Sequence, residues 1–206
     1  MSVINLVVRQ DKGVIAVDTL SCDTRVDSER GNMTRVLLLP HGQMLLACRN
    51  HEDFFFTLYC ELLKVSNGPR FDVDCAETIL PRLIDVHWPT YCQAEAPETG
   101  GTASHGHQFD LVAMGWSEKS SSVVARVFSK VSGSPARATK AEGSMASPGH
   151  PLQKWKGSTD EEEMLRAARV QVHYQNLMAG AQVAGGDLLL SSISRDGVWM
   201  KRLSSL

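Results

Sequence analysis

Gly13-Val14-Ile15-Ala16-Val17-Asp18-Thr19 reads as a short strand that closes on a carboxylate, and the rest of the chain can be arranged around it. Its apolar centre does not alternate with polar residues, which marks a strand covered on both faces rather than one half open to water. A second apolar run, residues 3–8, precedes it, and the intervening Arg9-Gln10-Asp11-Lys12-Gly13 has the length and the glycine of a hairpin turn. The N-terminal segment is therefore expected to be a strand pair inside a layered structure.

Working outward, residues 35–39 and 43–48 form a second expected pair, joined at Pro40-His41-Gly42. Phe54, Phe55, Leu58, Leu62 and Val65 recur at helical spacing, which predicts a helix over 51–65 ended by Asn67-Gly68-Pro69. A second helix fits 75–87, with Asp74 as N-cap, Ile79, Leu83 and Val86 on one face, and Pro89 closing it. Residues 92–107 are rich in Gly, Ala, Thr, Ser and Pro and read as a flexible loop. Strands resume at 109–116 and 122–128, and 131–158 is again polar and rich in Gly and Pro. Thr159 with Glu162 makes a capping box for a helix reaching about Met178, and Asp160 to Glu163 place negative charge at its positive end. A last hairpin, 187–193 and 198–203, turns at Ser194-Arg195-Asp196-Gly197. Runs of strands followed by runs of helices give an α+β class, with helices outside and sheets within, over a single domain 1–206.

Composition narrows the function. With 206 residues and 43% hydrophobic content the chain can bury one substantial core. A formal net charge of −2 argues against nucleic acid or an anionic membrane as partner. The N-terminal apolar stretch is too short for a signal peptide and no run approaches a bilayer span, so a cytoplasmic protein is expected. Cys22, Cys48, Cys60, Cys75 and Cys92 are odd in number and widely spaced, which suggests reduced thiols, with Cys48 and Cys60 in apolar segments as core. His105 and His107 lack a third ligand nearby and read as solvated loop residues. Trp116, Trp155 and Trp199 suit either subunit interfaces or the core. Neither a metal nor a cofactor is expected.

The segment 13–19, with the short strand and turn before it, resembles the N-terminal hallmark of proteasome β-subunits and the bacterial HslV peptidase. That family places its nucleophile sixteen residues before the aspartate, and the same count back from Asp18 reaches Ser2. Thr34 to Asp53 is similar to the family's next block, and Asp110 to Trp116, Glu142-Gly143-Ser144, Gly185-Gly186 and Arg195-Asp196-Gly197 resemble later ones. The resemblance implies a four-layer αββα sandwich of the N-terminal-nucleophile hydrolase class, in a bacterial or phage-borne member, assembled as a homo-oligomer of stacked rings and able to meet polypeptide substrates.

For chemistry, the resemblance implies that Ser2, once Met1 is removed, attacks a carbonyl while its own α-amine takes the proton. Asp18 orients the site, and backbone N–H groups near Ser144 hold the oxyanion. Two family features are replaced. The position of the family lysine falls on Thr34, with Arg35 expected on the opposite face of a strand, and the supporting Asp-x-x-Ser-Gly falls on Ala181-Gln182-Val183-Ala184-Gly185. The expectation is a ring-forming subunit that has lost catalysis and serves a structural or assembly role. The alternative is a self-compartmentalising N-terminal-serine peptidase.

Overall fold

The computed structural model describes residues 2–21, 31–66, 71–95, 108–153 and 155–206. Strands β1 (Ile4–Val8) and β2 (Lys12–Asp18) form the expected hairpin, with Ile4 opposite Val17 and Val8 opposite Gly13. A two-residue ribbon follows, β3 (Leu20–Ser21) with β4 (Gly31–Asn32). Next come β5 (Val36–Leu39), β6 (Met44–Arg49), α1 (Glu52–Val65) and α2 (Val73–Glu95). The second half holds β7 (Gln108–Ser117), β8 (Ser122–Val131), β9 (Arg137–Ala141), β10 (Ser144–Ser147), α3 (Glu161–Ala179), β11 (Asp187–Ser194) and β12 (Gly197–Ser205).

The class is α+β, with two five-stranded antiparallel sheets among the described residues. One sheet runs β10-β1-β2-β11-β12 and the other β5-β6-β7-β8-β9. Strand alternation divides the apolar residues among three cores. Ile4, Leu6, Ile15 and Val17 meet Leu45, Val112, Met114 and Ala125 between the two sheets. The opposite face of the first sheet, through Val3, Val7, Val14 and Ala16, packs on Met164, Ala168 and Val172 of α3. The outer face of the second sheet, through Leu46, Cys48, Leu111 and Phe128, packs on Phe54, Leu58, Leu80 and Ile84 of α1 and α2. Each strand of the β1–β2 hairpin is thus buried on both sides, as its unbroken apolar run predicts. Gly13 lets the sheets approach: a Cβ there would lie 2.4 Å from Met114 Sδ.

Several local expectations are corrected. Helix α2 continues through Pro81 and Pro89 to Glu95, so residues 92–95 are helical and the rest of the expected loop lies outside the described residues. Asp72, not Asp74, caps it: Asp72 Oδ1 accepts from the N–H groups of Asp74 and Cys75 at 3.1 and 3.0 Å, while Asp74 accepts from the Ser117 hydroxyl. The capping residue of α3 is Asp160, whose Oδ1 accepts from Glu163 N–H at 3.0 Å, one position beyond the expected Thr159. The polar segment 131–158 contains β9 and β10, both edge strands. Cys48 is buried as expected, but Cys60 is exposed on the outer side of α1.

Candidate functional site

Strand β2 delivers Asp18 to the end of the first sheet, opposite Leu188. Its carboxylate is fully buried (0% exposed) and holds three parts of the chain together. Oδ1 accepts from Val3 N–H at 2.8 Å and from Arg35 Nη1 at 3.0 Å, and Oδ2 accepts from Gly185 N–H at 3.0 Å. The N-terminal segment, the approach to β5 and the loop before β11 therefore converge on one side chain. Burial pushes the Asp18 carboxyl above its ordinary value, against the pull of Arg35 and the amides of Gly185 and Val3.

The cation at this site is Arg35, which corrects the expectation that the uncharged Thr34 leaves the site without one. Strand β5 starts only at Val36, so strand alternation does not govern the two residues before it. Thr34 faces solvent and donates to Val36 O at 2.8 Å, while Arg35 turns inward and is 2% exposed. The guanidinium donates through Nε to Glu52 Oε1 at 2.7 Å, through Nη1 also to Asp18 O at 3.3 Å, and through Nη2 to Leu20 O at 2.6 Å. Nη2 also lies 2.6 Å from Glu52 Oε1. Burial lowers the Arg35 pKa, but the charges of Asp18 and Glu52 outweigh it and the net shift is upward. For Glu52 burial pulls upward, and the Arg35 charge and hydrogen bond, with a backbone contribution, carry the value below the usual carboxylate range. Removing one member of so buried a pair costs about 3–5 kcal/mol, because the other charge is left without a counter-ion.

Ser2 sits beside this cluster, 1% exposed, and its Oγ meets no hydrogen-bond partner among the described residues. Its carbonyl accepts from Gln175 Nε2 of α3 at 3.0 Å, while Gln175 Oε1 is buried and unpartnered. One turn earlier, Gln171 accepts from Asn5 Nδ2 at 2.7 Å and donates to Pro148 O at 2.9 Å. The two glutamines thus clasp β1 and the segment before it to α3. Sequence reasoning missed Gln171, Gln175 and Glu52. The signal for the glutamines was present, as two polar residues four apart on the stripe that also carries Met164, Ala168 and Val172.

The structure does not bring Ser144 to Ser2. Ser144 pairs with Val7, five residues further along β1, which is a separation on the order of 17 Å by strand rise. In the loop expected to carry the family's Asp and Ser, Ala184 is buried against α3 and only Gly185 reaches Asp18. Asn176 holds this loop instead: its Oδ1 accepts from the N–H groups of Val183 and Ala184 at 2.8 and 3.0 Å, and its Nδ2 donates to Ala184 O at 3.1 Å.

A cleft of about 740 Å³ opens at the Val8 end of β1, away from Ser2, lined by charged residues that include Arg9, Glu77, Lys119, Arg126 and Glu142. Arg126 pairs there with Glu77 at 2.9 Å and Lys140 with Glu142 at 2.6 Å. Among the described residues no group of three or more His, Cys, Asp or Glu side chains is placed to hold a metal ion, and His105 and His107 lie outside them. No helix of the described residues is long and apolar enough to cross a membrane. Compared with known proteins, the chain matches no family model and has no significant match among curated proteins.

Proposed function

We propose that this chain is a proteasome-type subunit of the N-terminal-nucleophile hydrolase class, an αββα sandwich that assembles with copies of itself into rings and keeps its Ser2 site as structure rather than as a peptidase centre. Support for the fold comes from the three cores, which stack α3, the two sheets and the α1–α2 pair in sequence. The register supports it as well, since Ser2 and Asp18 lie at the same end of the β1–β2 hairpin. Leu177 and Met178 on α3 and Val86 on α2 are exposed apolar residues that assembly would cover.

The single observation that carries the structural role is the isolation of the Ser2 hydroxyl. Among the described residues no side chain comes within hydrogen-bond reach of the Ser2 Oγ, so no side-chain base is placed to take its proton or to assist its amine. Arg35, the nearby cation, spends its donors on Asp18, Leu20 and Glu52.

One observation favours the peptidase reading. Arg35 places a positive charge against Asp18, whose carboxylate also binds the residue after Ser2. In that reading Met1 is removed, the Ser2 hydroxyl attacks a peptide carbonyl, and its freed α-amine takes the proton. The two readings separate in one preparation of the purified chain, examined by intact mass, light scattering, peptide turnover and reaction with an epoxyketone. A multi-subunit particle with neither turnover nor adduct is expected. A stable monomer at micromolar concentration would sink the ring, and an epoxyketone adduct on Ser2 would sink the structural role in favour of the peptidase.

A further inference from the structure

The cleft at the Val8 end of β1 is built from parts of both sheets. Arg9 and Gln10 of the β1–β2 turn line one side, and Lys119, Ser120 and Ser122 of the β7–β8 turn line another. The two turns are joined by the bond from Val123 N–H to Gln10 O at 2.9 Å. The first turns of α2, through Asp74, Glu77 and Thr78, and the end of β9 complete the walls. Val123 and Val124 add an apolar lining that is itself almost fully buried. The volume of about 740 Å³ falls within the range of small-molecule sites, about 300–1,000 Å³.

Charge pairing on these walls is uneven. Each carboxylate has a partner: Asp74 accepts from the Ser117 hydroxyl at 2.6 Å, Glu77 pairs with Arg126, and Glu142 pairs with Lys140. Two cations are left over among the described residues. Arg9 reaches only the backbone carbonyls of Val8, Gly143 and Gly157, at 3.3 to 3.4 Å. Lys119 is exposed and forms no hydrogen bond or ion pair, and it acts on Glu77 only through space, less strongly than Arg126 does. The Ser120 and Ser122 hydroxyls lie 2.8 Å apart and share one hydrogen bond, so one of their protons remains to be donated.

These features select a ligand by its chemistry. Two unpaired cations balance a dianion, whereas a carboxylate or a sulfate ester would leave one of them unmatched. A phosphate monoester carries close to two negative charges at pH 7 and presents three strong acceptor oxygens. The carboxylates on the walls repel a chain of phosphates, which argues against nucleic acid. The buried valines suit an uncharged, apolar body. We propose that this cleft binds a small phosphate monoester, with the phosphate held by Arg9, Lys119 and the Ser120–Ser122 pair and the apolar body resting on Val123 and Val124. The cleft lies at the opposite end of β1 from Ser2, so this binding goes beyond the role proposed for that site and does not depend on it.

The test is calorimetric titration of the full chain with phenyl phosphate, compared with phenyl sulfate, which has the same body and one charge, and with inorganic phosphate, which has no body. Phenyl phosphate is expected to saturate one site per chain, and each comparison compound should bind about tenfold more weakly. No saturation by about 10 mM phenyl phosphate would overturn the site. Equal binding of phenyl sulfate would overturn the dianion, and equal binding of inorganic phosphate would overturn the apolar body. Lys119→Ala should weaken phenyl phosphate about tenfold without changing the melting temperature, and Lys119→Arg should retain most of the affinity. Unchanged affinity in Lys119→Ala would overturn the assignment. Arg9→Ala should weaken binding similarly, and because it also releases the Gly143 and Gly157 carbonyls, Lys119→Ala decides if that variant fails to fold. These affinities are read whether the chain is a monomer or a ring and involve no peptide turnover, so they stand apart from the tests of the proposed function.

Discussion

Arg35 shows how much one residue can alter the reading of a site. Its guanidinium bridges two carboxylates with opposite displacements, and the pH dependence of stability should separate them. Glu52 titrates below its unfolded value, so its contribution is present above about pH 4.3 and is lost as the pH falls through the folded value. Asp18 titrates above its unfolded value, so its contribution is present below about pH 3.9 and is lost as the pH rises through the folded value. Glu52→Gln should therefore flatten the loss of stability on acidification, whereas Asp18→Asn should make stability climb more steeply as the pH rises above about 4. Urea unfolding at a series of pH values from about 3 to 6 reads both slopes, and changes of the same sign would contradict the assignment.

Helix α2 departs furthest from its expected form, because the local rule that proline ends a helix loses to packing. Trp88 and Tyr91 lie on either side of Pro89 in the chain, and both pack against Phe54, Trp88 edge-on and Tyr91 tilted, with ring centroids 4.9 and 5.1 Å away. Trp88 also lies 6.1 Å from Phe109. Aromatic pairs of this kind add about 0.5–1.5 kcal/mol each beyond their buried area, enough to offset much of a proline's roughly 3 kcal/mol penalty. Pro89 itself is exposed, so Pro89→Ala restores a backbone donor without opening a cavity. It should stabilise the fold by about 1–3 kcal/mol after allowing for the freer unfolded chain, read as a higher urea midpoint. Strands β9 and β10 illustrate the converse. Arg137 to Lys140 are exposed and carry no apolar pattern, so β9 exists because β8 offers it backbone partners, while β10 pairs with β1 and adds Met145 to the core between the sheets.

Across the whole molecule, the contact between sheets depends on a missing side chain at Gly13. Gly13→Ala would drive a Cβ toward Met114 Sδ and to 2.9 Å from Val123 Cγ1, and should destabilise the fold by about 1–3 kcal/mol. A double-mutant cycle with Met114→Ala should show non-additivity, and strict additivity would mean that the two sheets do not press together at this point. Much of this architecture was legible in the amino acids alone. The hairpin of β1 and β2, the β5–β6, β7–β8 and β11–β12 pairs, and helices α1 and α3 follow from apolar periodicity and turn residues, which act within a few positions of the chain. The interval that sets Ser2 and Asp18 at one end of a hairpin is of the same local kind. What lies around them is not. The bond from Gln175 to Ser2 spans 173 positions and that from Gly185 to Asp18 spans 167. The choice of Arg35 over Thr34 as the inward residue depends on where β5 begins and on two carboxylates waiting in the interior. Periodicity determined the strands and helices because it is a property of neighbouring residues. Only tertiary structure decided the surroundings of Ser2, because pairing buried charges and amides depends on which distant segments the closed sheets bring together.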